Sequence, residues 1–182
     1  GWETNNYNGH VGSQSGSGNG YLSGVHLGLR QAWDNTTSIH SGGGDIVIRG
    51  QSSNNASLPS SHYALAYGVV AMGDNNIANG TSGIFADGGK VLIHGECASS
   101  TNRVSCGGVA LNMYASNATS YGSIYSNSQT YADDYVVEST NTDDDAIKII
   151  GVTDGNREHG LFIPFGATFK NPNGGVVIQA DE

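Results

Sequence analysis

Six of the sixteen acidic residues fall within thirteen positions: Asp133, Asp134, Glu138, Asp143, Asp144 and Asp145. Carboxylates this close repel one another unless water, a cation or a substrate offsets their charge. Three readings are open. The run is a solvated acidic loop; or Asp143, Asp144 and Asp145 offer hard oxygen ligands to calcium; or the same three acids work with His159 in acid–base chemistry. The Asp-x-Asp-x-Asp-Gly spacing of a calcium loop is absent, which makes the solvated loop the plainest of the three. Five of the nine tyrosines (Tyr114, Tyr121, Tyr125, Tyr131 and Tyr135) sit beside the acids. Tyrosine among Asn, Ser and Asp suits sugar recognition, with a flat apolar face and fixed hydrogen bonds. Tyr121, Tyr125, Tyr131 and Tyr135 are therefore candidate ligand-binding residues, the alternative being ordinary cover for an insertion. Cys97 and Cys106 bracket a polar stretch, Ala98 to Ser105, as a small disulfide-closed loop in an oxidising compartment would. His10, His26, His40, His62 and His94 are scattered, and His40 and His94 point outward on an alternating pattern. Gly-x-Ser-x-Gly, His-Glu-x-x-His and phosphate-loop patterns do not occur, so no catalytic residue is assigned outright and calcium is the one cofactor considered.

The elements that must hold these residues are short. In 182 residues, 28 Gly, 21 Ser and 18 Asn stand against only 13% charged residues, about half the usual share. The apolar fraction of 37% falls in short, evenly placed clusters, which argues for a folded, turn-rich chain rather than a disordered one. Net charge is −9, which removes the basic footprint needed for nucleic acid and repels phosphate lipids. No apolar run reaches the length of a membrane span. The chain starts at Gly1-Trp2 without Met, and is read as a segment of something longer.

No helical periodicity persists between the glycines; alternating runs recur instead. A Gly-apolar-x-apolar strand appears at residues 24–27, 68–71, 108–111 and 160–163, and a second follows around Ile39, Ile84, Ile124 and Phe169. The third and strongest is Gly-Gly-Asp-Ile-Val-Ile-Arg-Gly (43–50), Gly-Gly-Lys-Val-Leu-Ile-His-Gly (88–95), Asp-Ala-Ile-Lys-Ile-Ile-Gly (145–151) and Gly-Gly-Val-Val-Ile-Gln-Ala (174–180). Three strand types in fixed order, four times over, predict an all-β, right-handed parallel β-helix (β-solenoid) of about four three-stranded coils. Each strand then pairs with its counterpart one coil away, and inward residues stack as apolar columns. Glycines are read as corner residues that permit positive φ. The expected organisation is a Gly/Asn/Ser-rich partial coil over 1–23, then the solenoid over 24–182, with loop insertions at 50–66, 96–106, 126–144 and 151–159.

The three Gly-bounded strands, each with its Gly-Val-x-apolar predecessor, resemble the two-partner-secretion exoproteins, the family of filamentous haemagglutinin and the high-molecular-weight adhesins. The resemblance covers roughly residues 24–182. It implies a β-helix shaft exported to the bacterial cell surface, where it binds host cells, matrix or sister bacteria. Irregular coils with long insertions depart from the more monotonous family shaft and suggest a receptor-binding or tip region. A narrower resemblance joins Asn141-Thr142-Asp143, Asp144-Asp145 and His159-Gly160 to the Asn-Thr-Asp, Asp-Asp and His-Gly elements of polygalacturonase-type glycosidases, also β-helices. It implies a catalytic role for Asp143, Asp144, Asp145 and His159. Here the first two elements are fused into five residues, and the Arg-x-Lys element of that family is missing.

The reading favoured by these features is a non-enzymatic segment of a secreted bacterial surface adhesin. Its expected partner is a glycan or protein receptor, with no nucleic acid and no membrane insertion. A polysaccharide-degrading β-helix (glycosidase, lyase or tailspike-like) is the enzyme alternative. A structural spacer or self-assembling fibre, joined end to end, is the other.

Overall fold

Isolated strands this short cannot hold their shape, and what orders them is lateral pairing with their own repeats. The computed structural model describes residues 20–27, 38–54, 64–72, 81–99, 104–113, 135–154, 159–163 and 166–181. Among these there is no helix, and so none long and apolar enough to cross a membrane. The strands are β1 (Gly20–Leu27), β2 (Ser38–His40), β3 (Ile46–Asn54), β4 (Ala64–Met72), β5 (Gly83–Ala86), β6 (Val91–Ser99), β7 (Val104–Met113), β8 (Tyr135–Ser139), β9 (Ile147–Thr153), β10 (Leu161–Phe162), β11 (Ala167–Lys170) and β12 (Val176–Asp181). Every third strand joins the same sheet. Sheet A runs β1-β4-β7-β10, sheet B β2-β5-β8-β11 and sheet C β3-β6-β9-β12, and all neighbours are parallel. This arrangement fits a β-solenoid built from four strand triplets.

The expected columns form in sheets A and C. Val25, Val69, Val109 and Leu161 are in register, as are Ile46, Val91, Ile147 and Val176, and Ile48, Ile93, Ile149 and Ile178. Strand β9 shows why: buried and half-buried residues alternate along its whole length, the period-two pattern of a strand with one face on a core. The inward residues of all three sheets merge into one apolar cluster.

Sheet B needs a correction. Its column reads Ile39, Ile84, Val137 and Phe169, so Val137 takes the place expected for Ile124, which lies outside the described residues. The even spacing of about 15 residues after the Gly-Val strand is broken in the third triplet, where residues 114–134 intervene between β7 and β8. A strand therefore lies inside the stretch read as an insertion at 126–144.

Parts of the other insertions are strand as well. β3 continues to Asn54, β6 to Ser99 and β9 to Thr153, while β4 starts at Ala64 and β7 at Val104. Residues such as Gln51-Ser52 and Glu96 look like loop because they are polar, but backbone pairing does not require apolar side chains. Similarly, β1 begins at Gly20, inside the segment read as 1–23.

The glycines do two things. At the corners between sheets B and C, Gly42, Gly43 and Gly88 take the positive φ expected of them, and among the described residues Gly166 and Asn112 are the others with positive φ. Gly50, Gly95 and Gly151 align in mid-strand across sheet C. A Cβ on each would run into the backbone of Gly68, Gly108 and Gly160 respectively, all in sheet A or at its margin. Sheets A and C thus touch main chain to main chain along two facing rows of glycine, a close approach that only a residue without a side chain allows. Beyond this contact a second, smaller interior opens. Ser52, Cys97 and Thr153, in register on sheet C, are buried opposite Ala66 and Cys106. The Cys97–Cys106 disulfide closes it, and the Thr153 hydroxyl donates to the Cys106 carbonyl at 2.9 Å.

Gly95→Ala is expected to destabilise the protein by about 3 kcal/mol or more in urea unfolding, because its Cβ meets backbone on the facing sheet. Gly44→Ala, whose Cβ meets nothing within 4 Å, should stay within about 0.5 kcal/mol of the parent. Equal effects at both positions would remove the glycine contact from the account of stability.

Candidate functional site

Asp143, Asp144 and Asp145 lie in a corner between sheets B and C. In register, that corner is five residues long in three triplets (41–45, 86–90 and 171–175) and eight in the third (139–146). The longer corner contains Asn141-Thr142-Asp143, and its polar groups are tied to the corner before it. Ser139 donates its hydroxyl to the Gly89 carbonyl (2.7 Å), Thr140 Oγ1 accepts from the Gly88 N–H (2.8 Å), and Asn141 Nδ2 donates to the Gly88 carbonyl (2.9 Å). Asn141 Oδ1 accepts from the Asp143 N–H at 2.9 Å, a local turn in which the side chain stands in for backbone. Asn171 repeats the device one corner later: its Oδ1 accepts from the Asn173 and Gly174 N–H groups, and its Nδ2 donates to the Asn141 carbonyl. The Asn-Thr-Asp element thus carries one of two successive corner asparagines that close a turn and bridge to the corner before.

Lys90 holds the charges. Its ammonium lies 2.7 Å from Asp143 Oδ2 and 2.7 Å from Asp145 Oδ1, while its backbone N–H donates to Asp45 Oδ1 at 2.8 Å. The hydrogen bond and charge of Lys90 hold the Asp145 carboxyl below the usual carboxylate range, and hydrogen bonds to Asp143 and Asp145 raise Lys90 above an ordinary lysine. All three side chains are solvent-accessible, so water screens the attraction. Asp144 is exposed.

This geometry bears on the chemistries set out above. A general acid needs a carboxyl whose proton is retained towards neutral pH, whereas Asp145 is shifted the opposite way. His159 is not brought to the acids. Gly160 packs on Gly151, and the strand from Ile147 to Gly151 alone spans about 13 Å. The His159 ring instead stacks on Phe162, centroids 5.8 Å apart, and its carbonyl accepts from the Gly108 N–H. Among the described residues no group of three or more His, Cys, Asp or Glu is placed to hold a metal ion, and two of the three carboxylates proposed as calcium ligands grip a lysine. Asp133 and Asp134 lie outside the described residues. Glu138 stands 4.0 Å from Lys170 on the outer face of sheet B.

Tyr135 is also corrected. It is 1% exposed and belongs to the apolar cluster, with its phenol pushed well above the ordinary range by burial; a side chain enclosed in this way cannot meet a ligand. Tyrosine beside an acidic run gives no indication of which residue starts the next strand, and the alternation of Tyr135 with Val137 was the available signal. Tyr121, Tyr125 and Tyr131 lie outside the described residues. His40 is exposed and stacks on Phe85 at 4.7 Å; His94 pairs with Glu96 at 3.1 Å on the outer face of sheet C. Lys90 carried no sequence signal as a site residue, although aligning Gly-Gly-Lys (88–90) with Gly-Asp (44–45) exposes the alternation of charge at one corner position.

Compared with known proteins, the chain matches no family model, no curated protein and no solved structure. The assignment of a role therefore rests on the geometry.

Two measurements follow from this corner and the strand beside it. The carboxyl titration of Asp145, read by NMR, should have its midpoint below the ordinary aspartate range, and Lys90→Gln should return it to that range. Because the folded-state pKa is lowered, the stabilising pull of Lys90 on Asp145 is present at neutral pH and is lost as pH falls through and below the usual carboxylate range. A titration insensitive to Lys90→Gln would show that the bridge does not form. Tyr135 has a buried hydroxyl with no partner among the described residues. Tyr135→Phe should therefore be neutral or stabilising by up to about 1 kcal/mol, whereas Tyr135→Ala should lose about 3–5 kcal/mol in thermal unfolding. A marked loss of stability in Tyr135→Phe would contradict this placement.

Proposed function

We propose that the chain is a rigid segment of a secreted bacterial surface adhesin, of the kind represented by the two-partner-secretion exoproteins. In this reading it is a right-handed β-helix of about four coils that presents its long connections to a glycan or protein receptor. The supporting observation is that several of the candidate groups among the described residues are occupied in holding the stack. Asp143 and Asp145 bind Lys90, Asn141 and Asn171 bind neighbouring corners, and Tyr135 fills the core. What is left for recognition is the sequence between the strands, above all 114–134 with Tyr121, Tyr125 and Tyr131. A disulfide buried against the glycine contact suits an oxidising, extracellular setting. The mechanism is multivalent, shallow contact from a stiff support, where rigidity limits the entropy lost on binding.

The test is incubation with immobilised glycans, cultured cells and soluble polysaccharides, with the size distribution of each polysaccharide measured alongside retention. The intact chain should bind without shortening any polysaccharide. Replacing 115–133 by a short Gly-Ser linker should weaken binding about tenfold or more while the far-UV circular dichroism of the stack is kept. Shortened polysaccharide would overturn the reading in favour of an enzyme, and undiminished binding after the replacement would move recognition to the sheet faces.

A further inference from the structure

We propose that the Cys97–Cys106 disulfide is a redox latch on the small interior alone. Reducing it opens the strand ends beyond the glycine contact and leaves the large interior in place. The two interiors are separate bodies of packing. The buried valines and isoleucines of sheets A and C form one apolar cluster, and Ser52, Ala66, Cys97, Cys106 and Thr153 are outside it. Between the two groups run the facing glycines, Gly50, Gly95 and Gly151 against Gly68, Gly108 and Gly160. That line carries no side chains, so an opening on one side of it need not disturb the packing on the other.

The two sides are held by different forces. Branched aliphatic side chains fill the large interior, and their burial holds the sheets together without a covalent tie. The small interior offers two hydroxyls, one methyl and two sulfurs from its described residues. That apolar surface is too small to offset the entropy of ordering polar strand ends such as Gln51-Ser52-Ser53-Asn54. Across it, from sheet C to sheet A, run the disulfide and the bond from the Thr153 hydroxyl to the Cys106 carbonyl. Cys97 is 3% exposed and Cys106 0%, so a reductant reaches the sulfurs only once this end has opened. The thiolate of an external dithiol then attacks one sulfur, and the other leaves as a cysteine thiolate. The second thiol of the reductant resolves the mixed disulfide and closes its own, so that two electrons pass from dithiol to protein. With the covalent tie gone, the open form persists.

Hydrogen exchange of the intact chain, oxidised and then held reduced in dithiothreitol, tests this. Reduction should speed exchange of the amides from Glu96 to Ser99 and from Val104 to Cys106 by about a hundredfold. The amides from Val91 to Ile93, Val109 to Leu111 and Ile147 to Ile149 should change by less than about threefold, and the far-UV circular dichroism should keep its strand signal. Cys97→Ala combined with Cys106→Ala should reproduce the reduced pattern without any reductant. Faster exchange throughout, or a chain that no longer folds once the disulfide is removed, would overturn the proposal, because the disulfide would then support the whole stack. Unchanged exchange at the strand ends would overturn it as well, because the small interior would then hold itself closed.

Discussion

Where sheets A and C meet, main chain lies against main chain, and this contact sets the terms for the rest of the molecule. Gly50, Gly95 and Gly151 on one side face Gly68, Gly108 and Gly160 on the other, with no room for a Cβ between them. A slip of one residue in β3, β6 or β9 would carry Arg49 or Gln51, His94 or Glu96, and Ile150 or Val152 into the contact. Register is therefore fixed by exclusion as well as by the apolar columns. The contact also divides the interior in two. Valine and isoleucine fill the larger space, and the smaller one takes Ser52, Ala66, Thr153 and the disulfide. Small side chains suit the second space because the strands have only begun to diverge from their closest approach.

The corners between sheets B and C answer a different constraint. A parallel stack brings the same corner of each repeat close to the next, so any charge there faces its counterpart. The chain avoids like-charge contact by placing Asp45, Lys90 and then Asp145 along that edge, and by giving asparagine the task of closing the turn and bridging to the neighbouring corner. Three acids in succession look like chemistry when read in one dimension. In three dimensions two of them balance a lysine from 53 and 55 residues earlier (143 − 90 and 145 − 90).

Much of the fold was legible because a two-residue period bounded by glycine can hardly be read any other way. Ile46, Ile48, Val91, Ile93, Ile147 and Ile149 declare a buried face without reference to anything distant. Three features were hidden. The polar ends of β3 and β6 are strand because of what they pair with, which local composition does not contain. Val137 rather than Ile124 completes its column because 114–134 breaks an otherwise regular spacing, and nothing before that point signals the break. The corner glycines Gly42, Gly43 and Gly88 were read correctly, but those of the crossing were not told apart from them, since corner and crossing demand the same residue for different reasons. The candidate site suffered most. The partner of Asp145 and the burial of Tyr135 are both properties of stacking, and neither neighbours the residue in sequence.

The position of the long connection has its own logic. Closing a loop costs entropy that grows only logarithmically with length, about 0.6 kcal/mol for each doubling. The 114–134 connection is about twice the length of 73–82, its counterpart in the preceding triplet, so it adds little to the cost of folding. Side-chain links between the second and third triplets are dense: Cys97 to Cys106, Lys90 to Asp143 and Asp145, Ser139 to Gly89, Thr140 and Asn141 to Gly88. A net gain of about 1 kcal/mol from a single satisfied hydrogen bond exceeds the entropic cost of the added length. Among the described residues, these links tie the triplet that carries the long connection to the one before it. A scaffold fastened in this way can carry a long connection without losing register.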